Sequence, residues 1–403
     1  MTKHTDNRHT GPSRKRLRLL DKAMQFLSRL DGRGPHVIHE VPVNSSFHSL
    51  PLSQESNPST HSPTEMSDEQ LSLIIPTKQG TFTVAHRKIP QPGPGEVLVR
   101  LQATALNPFD AKIHREGTFV DSYPAVLGTD GAGIVEQVGE GVTRFDPGDR
   151  IFFHGAFDDN DLATFQQFSV PRNLSFDQAS TISCGISTAA IGLYGTVNGI
   201  GLIPPWERGG YAKYKGWPIL ILGGAGSVGN YVIQLAKLSG FSPIITTSSL
   251  KHTDYLKSIG ANYVIDRYLP LPALNKAIMK ITGSRIHMMY DSISTRDTQE
   301  VAWSLLAPGG KLVLTQPSLI SQDDNSRQVV LVDGSPQSDE NWETGKRLWA
   351  HLERWVEDGH IRPNHVEPLP GGLRGIADAL ARFNAGKVDA VKMVVRPQET
   401  NDS

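Results

Sequence analysis

From residue 71 to 153 the chain is a run of short apolar segments of strand length, each cut by turn residues. Pro94-Gly95-Glu96 precedes Val97-Leu98-Val99-Arg100-Leu101, residues 131–138 form a second such run, and Pro147-Gly148-Asp149 precedes residues 150–153. Short β-like runs punctuated by glycine and proline predict a small β-rich barrel. After about residue 187 the texture changes. Strand-like runs at 219–222, 242–246, 263–265, 287–291 and 311–314 now alternate with helical stretches, the clearest at 226–238. Alternation of this kind predicts a parallel sheet wound with helices. Residues 342–357 and 375–384 read as further helices, and 391–395 as a late strand returning to the barrel. The predicted fold class is α/β, a β-rich barrel joined to a doubly wound parallel sheet. The expected units are 1–65 as an extension, 66–188 as the barrel, 189–340 as the nucleotide domain, and 341–403 as a return to the barrel.

Residues 1–65 lack this patterning. Lys3, Arg8, Arg14, Lys15, Arg16 and Arg18 open the chain, and a Ser/Pro/Asn/His-rich stretch fills 44–64. This composition predicts disorder. Residues 18–30 could form a short basic amphipathic helix, which leaves a mitochondrial presequence open beside a cytoplasmic location, and Met66 is a plausible second start. Over the whole chain, 40 basic and 41 acidic residues nearly cancel, so no global field favours nucleic acid or a membrane surface. The expected partner is a small molecule, with the chain a monomer or homodimer. A single cysteine, Cys184, permits neither an internal disulfide nor a multi-thiolate metal site.

The most chemically specific stretch follows the apolar run 218–222. Gly224, Gly226 and Gly229 have the G-x-G-x-x-G spacing, with the required strand before and helix after. The first glycine allows a tight turn, the second lets backbone approach a diphosphate, and the third lets helix and strand pack closely. The anion then rests on the free amides around Ser227 and Val228 at the helix start. An NAD-specific site would place a carboxylate about 20 residues on. Here Thr246-Thr247-Ser248-Ser249-Leu250-Lys251-His252 offers hydroxyls and a cation instead, chemistry suited to a 2'-phosphate and hence to NADPH. Ser248, Ser249 and Lys251 are the candidates, although a serine here would equally serve as a helix cap.

Further stretches carry a family resemblance: Gly95-Glu96-Val97-Leu98-Val99, Asn107-Pro108-Phe109-Asp110, Gly128-Thr129-Asp130-Gly131-Ala132-Gly133 and Pro147-Gly148-Asp149-Arg150. In that order they resemble the medium-chain dehydrogenases/reductases from about Met66 onward. Within that superfamily the chain is most similar to the zinc-independent fungal GroES-like branch of quinone oxidoreductases, trans-acting enoyl reductases and secondary-metabolite dehydrogenases. The resemblance implies a GroES-like substrate domain, a Rossmann domain, and a site in the cleft between them. It adds Arg267, Ile293 and Lys392 to the cofactor-binding candidates, with Arg267 replacing the tyrosine usual after the third strand's aspartate. It also implies that zinc is absent. Asn107 stands where zinc-dependent relatives have cysteine, Thr129-Asp130 where they have His-Glu, and Cys184 alone aligns with a ligand, too few for a catalytic site.

The resemblance places Asn107 and Asp110 in the loop that touches cofactor and shapes the pocket. Asp110 is a catalytic candidate and equally a helix cap, and His114 is a candidate proton donor beside Lys112 and Arg115. Cys184 reads as a small core residue. Without a metal Lewis acid, a conjugated enone, enoyl group or quinone is the favoured acceptor, because the developing charge is delocalised. Two readings compete with this expectation: an alcohol or aldehyde dehydrogenase, and an NADPH-binding protein with little catalysis. The glycine-rich, aromatic stretch 199–214 reads as either a lid or a solvated loop.

Overall fold

A computed structural model of the protein describes residues 69–157, 159–164, 174–321 and 325–401. The basic opening, the predicted helix at 18–30 and Met66 lie outside the described residues.

The first part of the described chain builds two small sheets facing each other. Strands β1 (Glu69–Ile75) and β2 (Thr83–Lys88) pair antiparallel, and β3 (Val97–Ala105) leads into helix α1 (Pro108–Glu116). Then come β4 (Ala125–Val126), β5 (Asp130–Val138), β6 (Arg150–His154), and helices α2 (Phe176–Ser180) and α3 (Ser183–Tyr194). One sheet has the order β2-β1-β4, and the other carries the neighbours β3-β5-β6. Val97, Val99, Leu101, Val135, Phe145, Ile151 and Phe153 form a compact core there. A cavity of about 680 Å³ remains between the sheets, lined by residues such as Leu73, Phe82, Leu101 and Leu380, and it meets the chemistry described below only at Asp110.

The second part is the wound sheet. It comprises β7 (Ile219–Leu222), α4 (Ser227–Leu238), β8 (Ile244–Ser248), α5 (Thr253–Ile259), β9 (Tyr263–Asp266) and α6 (Leu271–Thr282). It continues through β10 (Ile286–Asp291), α7 (Arg296–Leu305), β11 (Leu306–Leu314) and β12 (Gln328–Leu331). The order β12-β11-β10-β7-β8-β9 is parallel throughout, as the alternating pattern predicts. The chain order β7-β8-β9 runs out to one edge, and β10 restarts on the other side of β7, so a crevice opens at the carboxyl ends of β7 and β10. All four residues of β7 are buried because helices cover both faces.

Helix α8 (Trp342–Glu357) presents Leu348, Trp349, Leu352 and Val356 to this core at helical spacing. Strand β13 (Val366–Leu369), helix α9 (Ile376–Asn384) and strand β14 (Lys392–Val395) complete the described chain. β14 pairs with β3, giving the five-stranded order β13-β14-β3-β5-β6, so the late strand does return to the barrel. Residues 199–214 are neither a free lid nor a solvated loop. Ile200, Leu202 and Tyr214 are buried, and Trp206 packs against Tyr194 and Trp355 with ring centroids 5.1 and 5.9 Å apart. Tyr214 Oη accepts a 2.7 Å hydrogen bond from the Ile203 amide, which fixes the segment's turn.

Candidate active site

The glycine loop joins strand to helix as its spacing implies, but the tight turn falls on Gly223, one residue before Gly224, the first glycine of the motif. Gly223 turns at φ 83°, a left-handed conformation that strains other residues. A Cβ on Gly224 would come within 2.1 Å of Thr246 Oγ1, and one on Gly229 within 2.4 Å of the Gly223 carbonyl, so both glycines are required by packing alone. Gly226 differs. A Cβ there would meet only the Gly223 carbonyl, at 3.3 Å, so no protein side chain fills that face of the loop. Gly226 is the N-cap of α4 and supplies no side-chain hydrogen bond, which leaves the first turn's amide field available to an anion. These residues fit a dinucleotide diphosphate. The Ile293 side chain lies over Gly223 and is 40% exposed. Ser227 Oγ accepts from Asn364 Nδ2 at 2.9 Å, and Val228 packs into the core.

At the end of β8, Ser248 is buried and its carbonyl accepts from the Arg267 amide at 3.0 Å. Ser249 occupies the N-cap position of the following short turn, but its side chain makes no capping hydrogen bond there. The Arg267 guanidinium lies 4.8 Å from the ring centre of exposed Tyr268. Lys251 is exposed, but it is paired with Asp389, a carboxylate the sequence gives no reason to place there.

A buried polar cluster lies at the meeting point of β5, α1, α3 and β14. Lys392 Nζ is 2.8 Å from Asp130 Oδ2, with side chains only 3% and 0% exposed, and it also donates to Asn107 Oδ1. Asn107 Nδ2 donates to Asp130 Oδ2 at 3.0 Å, and the Cys184 amide donates to Asp130 Oδ1 at 2.7 Å. Burial works to strip Lys392 of its proton, but Asp130 and the neighbouring acidic groups outweigh it and hold the ammonium above its ordinary range. Burial pushes the Cys184 thiol up to about 12. A protonated thiol, an amide and a carboxylate already holding an ammonium do not fit a zinc ion, and among the described residues no group of three His, Cys, Asp or Glu is arranged to hold one.

The candidates on α1 divide. Asn107 is the N-cap, and Asp110 Oδ2 accepts from its amide at 2.8 Å, so Asp110 does act as a helix cap. Its other carboxylate oxygen is buried without a partner, and burial raises its pKa to about 7. His114 lies one turn further on and is turned elsewhere: Nε2 meets the Gly80 carbonyl at 2.8 Å and the ring packs on Phe82. Lys112 Nζ instead crosses to Gln316 Oε1, 2.6 Å away on the loop after β11.

Three further features of the site are not evident in the sequence. His154 stands opposite Asp130 in the β5–β6 register, and burial lowers its pKa. Asn364 links the first turn of α4 to the Thr181 carbonyl before α3. Phe109, Phe119 and Phe157 cluster with centroids 5.1 to 6.3 Å apart, beside the Asn107 cap and three residues beyond His154. The connection between cluster and glycine loop is short: Cys184 holds Asp130, and a Cβ on the next residue, Gly185, would press on Ser227 Oγ at 2.7 Å.

A barrel returning to itself through β14, a wound sheet with a cofactor-ready turn, and a polar cluster between them are the parts of an oxidoreductase of the medium-chain dehydrogenase/reductase superfamily, to which this chain belongs. Residues 93–218 match the family described as "Alcohol dehydrogenase GroES-like domain" and 227–332 that described as "Zinc-binding dehydrogenase". Within the superfamily it falls in the enoyl reductase-like branch. It is 31% identical to trans-enoyl reductase resD of Aspergillus sclerotiorum over 361 residues, covering 81% of this chain and 100% of that one. It is 30% identical to dehydrogenase mokE of Monascus pilosus, covering 81% and 99%. Among solved structures, the CurK enoyl reductase superposes with a TM-score of 0.64 at 22% identity, over 81% of this chain and 98% of that one, a likeness of fold.

Proposed function

We propose that the protein is a zinc-independent, NADPH-dependent reductase of a conjugated enone, enoyl or quinone acceptor in fungal secondary metabolism. The observation that carries this reading is the Lys392 ammonium, held by Asp130 and Asn107 among positions where zinc-dependent relatives keep their ligands. The neutral pair of Lys392 and Asp130 occupies the place of a metal and leaves the site without a strong Lewis acid, which suits an acceptor whose developing charge is delocalised. The names of the relatives support the acceptor class and the metabolic setting.

When bound, NADPH supplies a hydride to the electron-poor carbon of the acceptor, and solvent supplies the proton. The first turn of α4, with Gly224, Gly226 and Gly229, would hold the diphosphate. Ser248, Ser249 and Lys251 would meet the 2'-phosphate, Arg267 the adenine side, and Ile293 the nicotinamide face. Lys392, a cofactor-binding candidate by resemblance, is nearly inaccessible and acts instead as a positioning residue, fixing the Asn107 side chain and neutralising Asp130. The phenylalanine cluster, its rings tilted edge to face, gives the acceptor an uncharged aromatic wall. Asp110, committed to the helix cap, holds Asn107 in place.

The test is oxidation of NADPH by the full chain against a panel of enones, enoyl thioesters, quinones and saturated carbonyls, with and without a strong zinc chelator. Conjugated acceptors should be turned over equally in both conditions. Chelator-sensitive turnover of plain alcohols or ketones would overturn the reading, and tight cofactor binding with no turnover would favour a binding protein.

A further inference from the structure

Lys251 and the next residue, His252, share one partner. Lys251 Nζ pairs with Asp389 Oδ2, and His252 Nε2 lies 3.0 Å from Asp389 Oδ1. Asp389 comes from the segment joining α9 to β14, so it reaches the turn after β8 from the opposite side of the cleft. Its position is fixed from behind. Ala390 is held at φ 55°, a left-handed conformation that costs a non-glycine residue about 1 kcal/mol or more. Two residues beyond Ala390, Lys392 is locked into the buried cluster. The backbone therefore delivers Asp389 to this turn even at a conformational cost.

We propose that Asp389 competes with the cofactor's 2'-phosphate for the Lys251 ammonium and so tunes the NADPH preference of the site; this rests on reading Lys251 as the phosphate-binding cation. Lys251 is 62% exposed on a flexible four-carbon stem and can swing from the carboxylate to a phosphate, while the His252 side chain, 18% exposed, keeps Asp389 in place. A phosphate dianion and the Asp389 carboxylate on neighbouring donors repel each other, so each NADPH that binds must displace one ion pair and tolerate one like charge. NADH carries no 2'-phosphate and meets neither cost.

Calorimetric titration of the full chain with NADPH, NADH and adenosine 2',5'-bisphosphate, which lacks the nicotinamide, tests this without any turnover. Asp389→Asn should bind NADPH and the bisphosphate about 5-fold more tightly, the scale of one exposed ion pair plus one screened repulsion, with NADH within about 2-fold. Asp389→Glu should behave like wild type. Lys251→Met should abolish the preference for phosphate. If wild type prefers NADPH through Lys251 but Asp389→Asn leaves it unchanged or weakens it, the competitor role is wrong and the phosphate site stands. If wild type binds NADH as well as NADPH and Lys251→Met changes neither, the phosphate-site reading fails and this inference with it.

Discussion

Replacing Lys392 with methionine removes the ammonium from the cluster while keeping most of its volume, and the structure says what is left behind. Asp130, fully buried, would retain hydrogen bonds from the Cys184 amide at 2.7 Å and Asn107 Nδ2 at 3.0 Å, but no counter-charge. Removing one member of a buried ion pair costs about 3–5 kcal/mol, because the surviving charge stays desolvated. At about 2–4 °C per kcal/mol for domains of 150–250 residues, Lys392→Met should lower Tm by about 6–20 °C. Asp130→Asn in the same background removes the orphaned charge and keeps one acceptor for the Cys184 amide, while Asn107, no longer held by Lys392, can turn its Oδ1 toward the new NH2. The double variant should therefore recover much of the loss, a marked coupling where two independent lesions would simply add. Thermal melts of the four proteins in one buffer decide this. A loss below about 1 kcal/mol, or a double variant less stable than Lys392→Met alone, would refute the account of a paired ammonium.

Other consequences follow from single contacts. Asp110→Asn should flatten part of the pH dependence of stability: with its pKa raised from 3.8 to about 7, wild type loses stability as pH rises from about 4 to 7, by a ceiling of about 4 kcal/mol, as the unfolded carboxyl ionises and the buried one does not. Urea midpoints at acid and alkaline pH check it, and identical pH slopes for the two proteins would exclude the effect. Gly226→Ala should leave Tm within a few degrees yet weaken NADPH at least 10-fold, because the new methyl meets no side chain and stands where the diphosphate approaches. Unchanged binding by titration would move the diphosphate elsewhere. Phe119→Ala, at a ring 54% exposed, should raise KM for apolar conjugated acceptors about 5-fold or more while NADPH affinity holds. Steady-state kinetics on a chain-length series would show a uniform KM if the ring does not touch substrate.

What was legible in the sequence was local. The glycine loop reads correctly because strand, turn and helix are contiguous, and α8 appears at 342–357 because four apolar residues sit on one face. Strand β12 was missed, its four residues being too short a signal beside a stretch of turn formers. Asp110 could be assigned to a cap or to catalysis from its spacing, and only the 2.8 Å bond from the Asn107 amide decides that it caps. Lys392 entered through resemblance alone. Its partners lie 262 and 285 residues away, so no window of sequence reveals that it is a buried cation. The same holds for His154, which meets Asp130 through sheet register, and for Asp389, which reaches Lys251 across the cleft. The stretch 199–214 reads as a lid or a solvated loop for the opposite reason: its glycines and aromatics are obvious, whereas the surfaces that bury Ile200, Leu202 and Tyr214 come from elsewhere in the chain.

The central claim is delivery of a hydride to a conjugated carbon without a metal. Its most direct test is to incubate the full chain, in chelator, with NADPH deuterated at the transferring position and a simple enone, then locate the label in the product. One deuterium at the β-carbon, with the carbonyl intact, is the predicted result. Label on the carbonyl carbon, or no labelled product until zinc is restored, would contradict it.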